Sequence, residues 1–296
     1  MLEQNWQAAP ILWIGVAFIL GLCIGSFLNV VIYRLPEMMR RGWLQECVDF
    51  LHEQGHSLEQ LKLPASEQPF NLARPASRCP CCGHAIRPWE NIPVLSYLIL
   101  GGKCSQCKTH IAWRYPAIES LCALLSAIVI WQLGLSPGSL LILLATWALL
   151  ALSFIDIDHQ LLPDSITLPL LWLGLLANSL EIYVPLADAV WGAMAGYLAL
   201  WSVYWGFKLL TGKEGMGYGD FKLLAAFGAW MGWQALPVII MLSAVSGIVV
   251  TVSQMILAGR SRHQPIPFGP YLAIAGWIAL LWRDDIVRSY LGLTGL

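Results

Sequence analysis

Apolar residues in this chain come in long uninterrupted runs, not in strand-like alternation or one-sided helical stripes: 10–33, 117–135, 138–155, 165–182, 188–207, 221–233, 236–257 and 268–282 are nearly all apolar. A helix that is apolar all round is buried in lipid or in a large core. About 20 such residues cross the roughly 30 Å hydrocarbon layer of a bilayer. The pattern therefore predicts an all-α polytopic membrane protein of about eight transmembrane helices, the sixth and eighth of them short. One polar stretch, 35–115, interrupts the series after the first helix, between Leu35-Pro36 and Tyr115-Pro116, where the second proline favours a helix start. Within it, Met38 to Lys62 mixes apolar and charged residues at helical spacing, while 63–116 is rich in Pro, Gly and Cys and cannot rely on a large core. The organisation expected is a first transmembrane helix over 1–34, a small domain over 35–115 and a membrane-embedded domain over 116–296.

Composition supports lipid over water: 57% of the 296 residues are hydrophobic and 12% charged, against about 25% charged in a soluble domain. No basic residue precedes the first run and no small-residue cleavage site follows it, so it is expected to remain as an anchor. The net charge of -1 gives no reason to expect a nucleic-acid partner. The placement of the basic residues says more. Ten of the seventeen fall between Arg34 and Arg114, and Lys208, Lys213, Lys222, Arg260 and Arg262 fall in loops that eight alternating spans place on the same side. The positive-inside rule makes that side cytoplasmic; Arg283 and Arg288 are on the wrong side, which leaves the last span the least determined. The many Trp residues, such as Trp113, Trp191, Trp230 and Trp233, fall near proposed interfaces and fit an aromatic belt.

Four of the eight cysteines supply what the polar domain lacks in core. Cys79-Pro80-Cys81-Cys82 and Cys104-Ser105-Gln106-Cys107 form two C-x-x-C pairs separated by the stretch from Gly83 to Lys103, close to the spacing of a tetrahedral zinc site. Two disulfides would be out of place in a reducing cytoplasm. Cys81 in place of Cys79 or Cys82 would require the less usual C-x-C geometry. With Cys79, Cys82, Cys104 and Cys107 as ligands the coordination shell is full, so the zinc is expected to hold structure and not to hydrolyse. Cys23 and Cys122 lie in apolar runs as packed thiols, and Cys47 has no evident partner.

Ionisable residues within or bordering a span are costly and point to function. Asp156, Asp158 and Asp164 follow one apolar run, and Asp220 opens another after Gly215-Met216-Gly217-Tyr218-Gly219. Alternating spans put Asp156 and Asp220 at one membrane depth. Two carboxylates sharing a site do not both ionise readily, so one serves as base and the other as acid. Gly217 and Gly219 would let an extended substrate approach the backbone. Each acid also has a simpler reading. Asp220 can be the N-cap of its helix, Asp164 after Pro163 and Asp188 before Ala189 likewise, and Asp158 points away from Asp156 as a solvated or supporting group.

These residues resemble the type IV prepilin peptidases, over nearly the whole chain. Gly25 to Pro36 is similar to that family's first-helix signature and Ser77-Arg78-Cys79-Pro80-Cys81-Cys82, completed by Cys104 and Cys107, to its zinc motif. Asp156 with Pro163 and Asp164 matches the pattern opened by its first catalytic aspartate, and Gly217-Tyr218-Gly219-Asp220 the one closed by its second, in the family's order and at a fitting separation. The resemblance implies an aspartic endopeptidase of the inner membrane, with Asp156 and Asp220 catalytic. It would cut basic leaders from prepilins or type II secretion pseudopilins on the cytoplasmic side. It also implies N-methylation of the new N-terminus with S-adenosylmethionine, whose binding residues no Gly-x-Gly-x-x-Gly turn marks. The acidic excess of Glu37, Glu46, Asp49, Glu53, Glu59 and Glu67 over Arg40, Arg41 and Lys62 either attracts a basic leader or is a solvated face. The rival readings are another Gly-x-Gly-Asp protease that cuts within the bilayer, a transporter using its membrane acids as a proton relay with a zinc docking domain, and a non-catalytic assembly factor.

Overall fold

The structure is a computed structural model that describes residues 6, 7, 9–55, 70–258 and 266–282. Arg260, Arg262, Arg283, Arg288, Glu59, Lys62 and Glu67 lie outside the described residues. Among these residues the chain is helical with no named strand: α1 Pro10–Glu53, α2 Leu95–Ile99, α3 Arg114–Leu133, α4 Pro137–His159, α5 Asp164–Ser179, α6 Leu186–Thr211, α7 Tyr218–Met231, α8 Leu236–Ala258 and α9 Gly269–Leu281. Short 3₁₀ turns occupy Pro88–Asn91 and Trp233–Ala235. Five of the described helices are long and apolar enough to cross a membrane. The expected α5, α7 and α9 are there, but at 16, 14 and 13 residues they are about 24, 21 and 20 Å long at 1.5 Å per residue, short of the hydrocarbon thickness. Among the described residues the eight runs therefore give five spans by length.

By packing, the chain divides into two compact units, Val16–Leu125 and a second made of Met1–Gly15 with Ser126–Leu296. In the first, α1 does not stop at Leu35-Pro36, as the sequence suggests, but runs on to Glu53, 44 residues in all, with Pro36 inside it. A mid-helix proline removes one hydrogen bond and crowds the preceding turn, at a cost of about 3 kcal/mol. Tertiary contacts hold the helix across it. The buried Arg34 donates to the carbonyls of Asn71 at 2.9 Å, Leu72 at 3.4 Å and Pro75 at 2.7 Å, and Arg41 stacks on Phe70 at 4.2 Å. Segment 70–75 thus splints the helix where the proline weakens it. On its outer part Glu37 is taken up by Arg40 and Arg41, and these two pairings, that with Arg41 the stronger, hold its carboxyl below the usual carboxylate range.

In the second unit α7 is the centre. It packs against α5, α6, α8 and α9, and from Asp220 to Met231 only Lys222 escapes burial. Small residues make the approach possible: a Cβ on Gly192 of α6 would run into the Gly228 carbonyl of α7, one on Gly196 would meet the Leu224 carbonyl at 2.6 Å, and one on Gly276 of α9 would enter the Phe227 ring. This is the small-residue packing of helices in lipid, where apolar burial itself drives no association. Asn178, fully buried, locks the far end of α7. Its amide donates to the Ala229 and Trp230 carbonyls, and its oxygen accepts from the Tyr183 and Val184 N–H groups.

Candidate functional site

The two C-x-x-C segments fold as a pair of knuckles with one register. Cys79 N–H donates to the His84 carbonyl, Gly83 N–H to Cys79, and Ile86 N–H to Ser77; the second knuckle repeats the pattern with Cys104 to Thr109, Lys108 to Cys104, and Ile111 to Gly102. Each turns on a left-handed residue, Gly83 at φ +71° and Lys108 at φ +60°. The repeat aims four thiols at one point: the ligand atoms of Cys79, Cys82, Cys104 and Cys107 lie within 4.8 Å of one another. Cys79 and Cys107 Sγ are 3.7 Å apart. A disulfide requires about 2.05 Å, whereas four sulfurs around a zinc ion at about 2.3 Å stand about 3.8 Å apart. The donor set and its spacing fit a tetrahedral metal ion. Cys81 is exposed and outside the cluster.

Hydrogen bonding with Thr109, first its side chain and then its backbone, lowers the Cys107 thiol to about 6, which favours the thiolate form that binds metal. Glu90 ties the knuckles together. The Ser105 side chain on one knuckle, the Arg87 N–H and the His84 ring on the other all bond to it, and they hold its carboxyl down at about 2. A carboxyl lowered on folding stabilises fully above its ordinary 4.5, and that contribution is lost as pH falls through about 2. Glu90→Gln is therefore expected to release bound metal at a higher pH than the parent when both are acidified in the presence of a chelating dye. An unchanged midpoint would remove Glu90 from this role.

In the other unit, Asp156 lies in the last turn of α4, which Gln160 ends in the left-handed conformation at φ +53°. Asp156 is buried, and its Oδ2 accepts a hydrogen bond from Gly269 N–H at 2.9 Å. Asp220 lies in the first turn of α7 and is buried too, its Oδ1 without a hydrogen-bond partner. The two carboxylates are close enough to repel one another. Leu162 packs between their supports: a Cβ on Gly219 would come 2.6 Å from Leu162 Cβ, and one on Gly269 would come 2.7 Å from Asp156 Oδ2 and 3.1 Å from Leu162 Cδ2.

Several expectations change here. Asp220 is not an N-cap; Gly217 holds that position and no side chain caps the helix. Asp164 does not cap α5 either, since Pro163 precedes it in the cap position and both Asp164 oxygens receive Lys222 Nζ at 2.7 Å. This ion pair straps α5 to α7 just past Asp220. Asp188 lies inside the first turn of α6, after Pro185, and accepts from Gln234. Gly219 is filled by Leu162 and Gly215 faces Phe207, so of the three glycines only Gly217 leaves open room for an approaching chain. Asp158 and His159 are exposed at the end of α4. Gly269 was not legible as part of this site: Gly269-Pro270 marks a helix start, but nothing in it points to Asp156.

The model of the bacterial peptidase A24 N-terminal domain matches residues 19–133, and that of the type IV leader peptidase family matches residues 143–252. The chain is 57% identical over 282 residues to a prepilin leader peptidase/N-methyltransferase of Stutzerimonas stutzeri, covering 95% of each chain. It is 55% identical to a protein of the same description from Pseudomonas aeruginosa, over 97% of this chain and 96% of that one. To one from Legionella pneumophila it is 44% identical, over 94% of both. No solved structure matches.

Proposed function

The chain belongs to the type IV leader peptidase family, and on that premise we propose that it is an aspartic endopeptidase with Asp156 and Asp220 as its catalytic pair. It removes the basic leader from type IV prepilins, type II secretion pseudopilins or both, at the cytoplasmic face of a bacterial inner membrane, and N-methylates the residue so exposed. The observation that carries this reading is that α4 and α7, helices that two others separate in the chain, each bring a buried carboxylate near enough for the two charges to interact, with Leu162 packed against the glycine beside each.

Two such carboxylates share one proton. The ionised member takes a proton from water as that water attacks the scissile carbonyl. The protonated member polarises the carbonyl oxygen and later gives its proton to the leaving amine. Gly269 N–H orients Asp156, and the Asp164–Lys222 strap and the Leu162 wedge set the start of α7 beside it. Pro163, Asp164, Gly217 and Gly219 thus support the pair. Cys79, Cys82, Cys104 and Cys107 would hold a structural zinc ion, and four thiolate ligands would leave no place on it for substrate. S-adenosylmethionine would supply the methyl group for the second reaction. The division into a first helix over 1–34, a four-cysteine domain over 35–115 and a peptidase domain over 116–296 follows these roles. The partners are the pilin-like substrates and membrane lipid, with no nucleic acid.

The test is to incubate the purified protein in nanodiscs with a prepilin and S-adenosylmethionine and read the product's N-terminus by mass spectrometry. Loss of the leader and gain of one methyl group is expected, and intact prepilin would overturn the reading. Within the site, Gly269→Ala should push the Asp156 carboxylate aside and lower cleavage by about 10²-fold, the usual cost of a misplacement near 1 Å, with thermal stability showing that the fold persists. Cleavage at the parental rate would show that the Gly269 contact does not orient the base.

A further inference from the structure

Within the unit Val16–Leu125, the short helix α2 is held in an unusual way. Val94, just ahead of it, has φ +57° and ψ -46°, a region that a β-branched residue rarely enters. The Leu95 N–H closes a γ-turn onto the Pro93 carbonyl around it. Such strain persists only where the surroundings over-determine it, and here two sets of bonds do so. Val94 N–H donates to Glu119 Oε2 at 2.7 Å. At the other end Gly102 and Gly101 N–H groups donate to the Tyr97 and Leu98 carbonyls, which fastens α2 to the second cysteine knuckle.

Glu119 fixes the depth. It is buried on α3, a helix long and apolar enough to span a membrane, five positions beyond Arg114, or about 7.5 Å along the axis. The polar layer on one face of a bilayer is roughly 5–8 Å thick, so a chain that enters the headgroups at Arg114 carries Glu119, and with it the start of α2, to the boundary between headgroups and acyl chains. Asn29 of α1 donates to the Tyr115 carbonyl at 3.2 Å, tying the two spanning helices near the same level. The exposed side chains of α2 itself are apolar. Leu98 is 68% and Ile99 74% exposed, Leu95 and Ile92 are exposed as well, Trp89 in the turn that packs on α2 is 62% exposed, and Trp113, just ahead of α3, is 75% exposed.

We propose that this surface is an interfacial membrane anchor: α2 lies in the headgroup–acyl boundary of the bilayer and holds the four-cysteine cluster down against it. Lipid is the occupant because α2 is bonded at its start to a spanning helix, one turn in from that helix's charged end, and because exposed leucine, isoleucine and tryptophan are what that boundary takes up. The inference goes beyond the proposed peptidase activity and does not depend on it.

The test uses the full-length protein in nanodiscs of phosphatidylethanolamine and phosphatidylglycerol. A photoreactive p-benzoylphenylalanine replaces Leu98, or in a second protein Ile99, with Lys108 at the turn of the second knuckle as the reference position. After illumination, mass spectrometry is expected to find lipid adducts at positions 98 and 99 several-fold above those at 108. Zinc content shows that the cluster is intact, and should the Leu98 protein lose it, the more exposed Ile99 position is read. Equal adduct yields at all three positions would overturn the proposal. So would adducts that go to an added prepilin in place of lipid, which would make the surface a peptide-docking site.

Discussion

Asp156→Asn and Asp220→Asn, each alone, are expected to lower leader cleavage by about 10³-fold or more, while methylation of an already cut pilin continues. The magnitude follows from losing a positioned acid or base, worth about 10²–10⁴-fold, in a pair where neither member can do the other's work. Asparagine keeps the size of the side chain, and its carboxamide can still accept the Gly269 N–H that Asp156 Oδ2 receives, so packing persists while proton transfer stops. The measurement is kcat/KM for leader removal beside the methylation rate on precut substrate. Cleavage that survives either change would end the aspartic mechanism and return the transporter and assembly-factor readings to the front.

Removal of the metal should have the second large effect. Cys104 is the buried member of the cluster, and Cys104→Ala is expected to reduce bound zinc from one per chain to none. Because a site of this kind exists only in the folded state, its binding free energy is folding free energy, about 10–16 kcal/mol in small zinc peptides. The knuckles should then become open to proteolysis between Ser77 and Ile111. Cys81→Ala, at the exposed cysteine outside the cluster, should change neither metal content nor the digestion pattern. Zinc retained in the Cys104 variant would mean that the four thiols do not form the site.

The residue patterns legible in the chain were those with a fixed local spacing. Two C-x-x-C pairs carry their own geometry, and the structure gathers the four sulfurs that the spacing suggests. Long apolar runs likewise give helices near the expected positions. What escaped depends on residues far apart in sequence. Pro36 reads as a helix end because the splint from Asn71 to Pro75 that carries α1 through it comes from a segment well beyond the helix's own C-terminus. The glycines before Asp220 read as room for substrate, yet Gly219 is occupied by Leu162, which α5 and α6 separate from it in the chain. Lys222 reads as a loop charge until Asp164 is placed opposite it. Gly269 gives no sign of Asp156 at all, since a backbone N–H leaves no trace in the identity of its residue.

The burial of α7 bears on how a substrate is reached. Asp220 rides on a helix walled in by four neighbours, with glycine-backed contacts that admit no slack and Asn178 pinning its far end. It is the least compliant element of its unit, and an excursion of Asp220 would have to drag several helices along. In the proposed reaction the dyad is therefore a fixed anvil. The scissile bond must be carried to it, and the compliance this requires falls to the substrate chain and to the connection 212–217 ahead of α7, since Leu162 wedges the other connection in place.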